Sequence, residues 1–319
     1  MMLKIGAPLA PNNQWAGMNK TVFLRPSGRW GEGFRWAWSR NGSDWTMANK
    51  VRLKPELGGK QMRDNTIERA PDGTYHMLWM SGDNDKFFGY SSSRDALKWE
   101  NQSEIPTARG PLADNLRQAR QPMLFWDKKG AQWLILFSAE TVKQPPRGWK
   151  IYAMTTKDFK TFGEPQLLLD TPYSAGDPDL IESNGRYFLF YRDMDKRIAK
   201  VSNATSPLGP FDVAADFQSL LPIPEADDPK KKKPLPPHDP GAPLEWGKDV
   251  ENLTIMPLGN EWLVNFYRGG PTSGHVWMKS KDLKNWAETT PNSIVSKDVR
   301  LGNRVATTET TLLEILRGN

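Results

Sequence analysis

The chain has no cysteine. Disulfides, thiol nucleophiles and thiolate-bound metals are thereby excluded. It has three histidines, His76, His238 and His275, too scattered for a metal motif. His76 lies among apolar residues and reads as a packed core side chain. No apolar run approaches the roughly 18 residues of a membrane helix, so no membrane association is expected. Residues 1–14 lack the apolar core of a signal peptide. Helical patterns are weak throughout. The net charge is +6 and the pI about 9.3, yet no basic stretch is interleaved with aromatics, so no nucleic-acid partner is expected. The densest run, Lys230–Lys233, sits among prolines and reads as a solvated loop.

Aromatic residues are abundant, with 14 tryptophans, and they fall into a repeat. A short aromatic-rich strand is followed by a polar hairpin that ends in Trp or Phe. The hairpins run Ser39 to Trp45, Ser93 to Trp99, Thr156 to Phe162, Ser202 to Phe211 and Ser280 to Trp286. Units of about 40–50 residues with several strands each are the mark of a β-propeller. Five units predict an all-β, five-bladed β-propeller occupying residues 1–319 as a single domain.

Turn signals such as Asp72-Gly73 and Asn184-Gly185 separate the first and second strands of their units. Residues 220–246 break the rhythm with eight prolines and the lysine run, and read as a long loop inserted in the fourth unit. The first unit lacks an inner strand, while Thr310–Ile315 reads as a strand without partners. Pairing of these N- and C-terminal strands is expected to close the ring.

If each unit begins with a strand on the axis, the starts of those strands line a common pocket. They are Arg63-Asp64-Asn65-Thr66, Arg120-Gln121-Pro122-Met123, Gly176-Asp177-Pro178-Asp179, Val250-Glu251-Asn252-Leu253 and Thr307-Thr308-Glu309. Four of the five carry a carboxylate. Charge on a narrow axis is unfavourable unless it has work or a partner. Converging carboxylates raise one pKa by mutual repulsion, which suits glycoside hydrolysis by an acid and a base. The bland alternative is that these acids pair with Arg63, Arg120 or Arg192 and only hold the ring together.

The set of motifs resembles glycoside hydrolase family 43 and its five-bladed relatives. Met62 to Trp79 is similar to the family's first catalytic blade, Gly176 to Tyr191 to its third-blade Asp motif, and Val250 to Leu263 to its Val-Glu-Gly-Pro motif. The resemblance implies Asp64 as general base, Glu251 as general acid and Asp177 as the group that raises the pKa of Glu251. It implies an inverting exo-glycoside hydrolase that frees terminal sugars, arabinofuranosyl or xylosyl first, from polysaccharide side chains. Asn65, Asn252-Leu253 and Arg120-Gln121-Pro122 depart from the family pattern and point to a divergent substrate.

Further substrate contacts are expected from Arg120, Trp246, Arg268, Asp193 and Glu309, with Asp193 holding one of the arginines and Glu309 on the closing strand. Some relatives hold an axial calcium ion; no ligand cluster for one is evident, and no metal or cofactor is expected. The partner is an oligo- or polysaccharide and the chain is expected to be a monomer. The resemblance favours a periplasmic or secreted setting. The rivals are a propeller hydrolase for galactose, anhydrogalactose or acidic glycans, a carbohydrate-binding propeller that has lost catalysis, and a protein-interaction propeller.

Overall fold

The computed structural model describes residues 21–28, 32–40, 44–142, 148–195, 198–211, 250–258, 261–268, 274–281, 287–289, 300–301 and 305–317. Five antiparallel sheets form a five-bladed propeller. The closing blade begins with β1 (Thr21–Gly28), β2 (Arg35–Ser39) and β3 (Thr46–Met47). The first complete blade holds β4 (Arg63–Arg69), β5 (Tyr75–Met80), β6 (Phe87–Ser93) and β7 (Ser103–Pro106). The second holds β8 (Leu116–Asp127), β9 (Gln132–Thr141), β10 (Trp149–Thr156) and β11 (Gln166–Leu169). The third holds β12 (Ala175–Ser183), β13 (Arg186–Asp193) and β14 (Ile198–Ala204). The fourth holds β15 (Val250–Leu258), β16 (Glu261–Arg268), β17 (Gly274–Ser280) and β18 (Ala287–Glu288). The chain then returns to the closing blade through β19 (Arg300–Leu301) and β20 (Val305–Thr308).

The hairpin chemistry behaves as the turn residues dictate. Asn184 and Gly185 both adopt left-handed φ, 51° and 73°, as a tight two-residue hairpin requires. The repeated polar hairpin has a specific cause. The Asp95 carboxylate accepts the amides of Leu97 and Lys98, each at 2.8 Å, and Asp158 does the same for Lys160 and Thr161. The amides of Thr161 and Lys160 hold the Asp158 carboxyl below its usual range. Between each Asp and its pair of donor amides lies a left-handed residue, Ala96 or Phe159. The chain thus turns back, and the terminal aromatic reaches the neighbouring layer: Trp99 meets Phe34 edge-on at 5.2 Å.

Ring closure occurs in the closing blade, but through a C-terminal segment that precedes the expected Thr310–Ile315. β1 pairs with β20 from Thr21↔Thr308 to Leu24↔Val305, and β19 extends the same edge at Ser27↔Leu301. Thr310–Ile315 is helical, within α1 (Glu309–Arg317). Its apolar residues Leu312 and Ile315 stand one turn apart and are fully buried, whereas Leu313 faces out. The Thr308 hydroxyl accepts the Thr311 amide at 3.2 Å, an N-cap that starts the helix where the strand ends. Arg52 donates to the Ile315 carbonyl at 2.8 Å near the other end.

Seams between blades are stitched by polar side chains as well as apolar packing. The Thr66 hydroxyl on β4 accepts the Leu124 amide of β8, and the Asp179 carboxylate on β12 accepts the Ile255 amide of β15. These pairs occupy equivalent places in successive inner strands. Between the fourth and closing blades, Arg25 is fully buried. Its guanidinium lies 5.3 Å from the Trp45 ring and 5.4 Å from the Trp277 ring and donates to Asn265 and Thr254. Tyr75 meets Thr307 at 2.7 Å where the ring closes onto β4.

Candidate active site

The inner strands β4, β8, β12 and β15 carry the same irregularity near their starts. Pairing shifts between Arg63 and Thr66 in β4, between Arg120 and Met123 in β8, between Gly176 and Asp179 in β12, and between Glu251 and Thr254 in β15. In each bulge two residues oppose one on the second strand, which bends the strand and re-aims a side chain. The equivalent residues are Asp64, Gln121, Asp177 and Asn252. The first three share a left-handed backbone, with φ of 49°, 55° and 53°. Non-glycine residues held there cost roughly 1–3 kcal/mol each and cluster where strain serves a site.

Neighbouring inner strands pack around the axis, β4 on β8, β8 on β12 and β12 on β15. The bulges therefore gather at one end of it. Asp177 is buried, and Arg192 on β13 meets its Oδ2 at 3.3 Å. The Asp177 amide donates to Gln121 Oε1 at 3.1 Å, which ties β12 to β8. Asp64 is half-buried. Glu251 stands on β15 opposite Tyr267, one residue before the bulge position that holds Asp64 and Asp177 in their blades.

Arg120 is held from two sides. Its guanidinium lies 5.3 Å from the Trp149 ring and 3.1 Å from Asp83. Asp83 also meets Arg63 at 2.6 Å and accepts from Gln118. The Arg63 hydrogen bond is the main reason the Asp83 carboxyl sits below its usual pKa. One turn carboxylate thus orients the arginines next to Asp64 and Gln121.

The other expected contacts scatter. Asp193 ends β13 fully buried, with Lys200 at 3.4 Å as an ion-pair partner on the same blade. Lys200 in turn lies 4.3 Å from the Tyr173 ring. Arg268 ends β16 opposite Val250. Glu309, expected on a closing strand, is the first residue of α1, and its carboxylate meets Arg40. Trp246 and the inserted loop around residues 220–246 lie outside the described residues. His76 stacks on Phe159 with ring centres 4.5 Å apart and its Nδ1 meets the Tyr90 hydroxyl at 2.8 Å, and burial pushes its pKa down to about 4. It stays neutral in the core.

Asp83, Ser138 and Trp149 did not stand out in the sequence. Asp83 belongs to a Gly-Asp-Asn-Asp turn that reads as an ordinary loop. Gln121 did carry a signal, since its place in the unit is the one where other units put an acid.

Residues 21–219, more than half of the chain, match the family model described as "Probable glycosyl hydrolase domain", related to glycoside hydrolase family 43. The chain belongs to this family of glycosyl hydrolases. It is a glycosidase of the family 43-like propeller group. No curated protein matches it. Among solved structures, a Bifidobacterium bifidum s17 protein assigned as an exo-β-1,3-galactanase superposes with a TM-score of 0.58 at 16% identity, over 88% of this chain and 91% of that one. A thermostable family-43 glycoside hydrolase gives 0.54 at 13% identity, over 76% and 77%. A xylan β-1,4-xylosidase from Bacillus halodurans C-125 gives 0.55 at 13% identity, covering 87% of this chain but 54% of its own. At these identities the likeness shows the fold.

Proposed function

We propose that the chain is an inverting exo-glycoside hydrolase that releases terminal arabinofuranosyl or xylosyl residues from polysaccharide side chains. The observation that carries this reading is the shared strained bulge. Asp64 and Asp177 occupy it in the first and third blades, and Glu251 precedes it in the fourth. In this reading Glu251 protonates the leaving glycosidic oxygen. Asp64 takes a proton from water as the water attacks the anomeric carbon. Asp177 carries negative charge that disfavours ionisation of Glu251 and so keeps it protonated. An inverting pair stands roughly 6.5–9.5 Å apart to admit that water.

Arg63 and Arg120, fixed by Asp83 beside the two bulges, favour a second reading in which the glycan carries a carboxylate or sulfate. Galactose and anhydrogalactose glycans belong to the same test. Wild type and Glu251→Gln are incubated with aryl arabinofuranoside, xyloside and galactoside, and with neutral, uronic-acid and sulfated oligosaccharides. Release of one monosaccharide by wild type, lost by at least about a hundredfold in the variant, is expected for a general acid. Proton NMR of the first product formed reads inversion or retention. No release from any substrate, with glycan binding intact in both proteins, overturns the proposal in favour of a binding propeller.

A further inference from the structure

The second blade places Gln121 where the first and third place acids, with the same left-handed backbone. Its amide is oriented unambiguously. A backbone N–H can only donate, so the atom it touches is an acceptor. The Asp177 amide lies 3.1 Å from that atom, which is therefore Oε1. The Ser138 hydroxyl donates to the same oxygen at 2.7 Å. Ser138 is fully buried on β9. Oε1 is thus doubly occupied, and its partners fix the side chain.

The neighbouring backbone is shaped around this pair. Gly176 precedes Asp177, in the place where the other blades carry Arg63, Arg120 and Glu251. A Cβ on Gly176 would approach Met194 Sδ at 2.7 Å, and Gln121 Oε1 and Ser138 Oγ at 3.2 Å each. The glycine leaves room for the amide to cross from one blade to the next. Gln121 is half-buried, and its Nε2 has no hydrogen-bond partner among the described residues. Two N–H donors remain beside the bulge acids.

We propose that Gln121 is a positioning residue for Asp177 through Oε1, and that its Nε2 group donates a hydrogen bond to a hydroxyl of the sugar bound at the axis. This rests on the glycosidase reading above. The carbonyl end holds the Asp177 backbone in its left-handed state and so sets where that carboxylate points. The amide end meets the substrate.

The two ends separate by substitution. Gln121→Glu keeps an oxygen for the Asp177 amide and the Ser138 hydroxyl but removes the N–H donors. Gln121→Met removes both. Kinetics are measured at each variant's pH optimum on the aryl glycoside that wild type cleaves best, alongside hydrogen–deuterium exchange of the Asp177 amide. Gln121→Met is expected to lower kcat and raise KM, each by about tenfold or more, and to unprotect the amide. Gln121→Glu is expected to restore kcat and amide protection while KM stays high. Unchanged kcat and KM in folded Gln121→Met, or an Asp177 amide still protected in it, overturns the proposal. If Gln121→Met does not fold, Gln121→Glu alone decides, since wild-type KM in that variant removes the substrate contact. If wild type cleaves no glycoside, the glycosidase reading and the substrate contact fall together. The exchange measurement still decides whether Gln121 holds Asp177.

Discussion

At the scale of single residues, the site is organised by groups that do not themselves do chemistry. Asp83 is half-exposed, yet it orients Arg63 and Arg120 at once. A lone exposed ion pair contributes little, but one carboxylate shared by two arginines restricts both. Asp83→Ala is therefore expected to leave thermal stability nearly unchanged and to reduce kcat/KM by about tenfold through freer arginines. A steady-state comparison on the best substrate, paired with a melting curve, checks this. Equal kcat/KM would show that the arginines need no such anchor. The candidate acids were legible in the sequence because they recur at the start of four of the five units. Their conformation was not. The bulge at Asp64, Gln121 and Asp177 is a pairing shift between two strands, and a strand's own residues do not announce how its partner is registered. Asn65 and Pro178, next in line, differ from each other, yet both follow a left-handed residue. For the same reason the contact between Gln121 and Asp177 was invisible, since 56 positions separate them.

At the scale of elements, sequence reading succeeded where side-chain periodicity was strong and failed where it was short or ambiguous. Second strands such as β5 and β9 are nearly continuous runs of buried, mostly apolar residues, as strands covered on both faces must be. The outer strands β3, β7, β11 and β18 span two to four residues. That is too short for an alternation to show. The segment Thr310–Ile315 misled because two threonines favour strands, whereas the burial of Leu312 and Ile315 follows a helical turn. Thr308 decides the switch. It is both the last residue of β20 and the cap of α1. Thr308→Ala is expected to lower stability by about 1 kcal/mol, by loss of the cap. In a melting curve this is a drop of a few degrees at most, with activity retained. A variant as stable as wild type would mean that burial of Leu312 and Ile315 alone holds the helix.

At the scale of the whole molecule, a ring of blades is only as stable as its seams, because each blade packs only on its neighbours. The seams next to the fourth blade contain charge with little water around it. Burial raises the Asp179 pKa to about 7, while the Ile255 amide and the Arg25 charge pull it back. Arg25 feels burial first and Asp179 second, in the opposite sense. The consequence for stability has a definite sign. An unfolded chain has this carboxyl near its ordinary value of 3.8. Between that value and about 7 the folded protein holds a proton that the unfolded chain has released. Stability from this group is fully present below pH 3.8 and falls as pH rises through the window, by at most about 1.4 kcal/mol per pH unit. Asp179→Asn keeps an oxygen for the Ile255 amide and removes the titration. Urea unfolding of both proteins at pH 5, 6, 7 and 8 is expected to show a decline with pH in wild type that is shallower in the variant. Parallel curves would mean that Asp179 ionises in the fold as it does in water, with Arg25 compensating its burial completely. The seam would then be a closed ion pair. A shallower variant would instead show that the propeller carries a carboxyl held largely neutral below pH 7, two residues from Asp177 on the same inner strand.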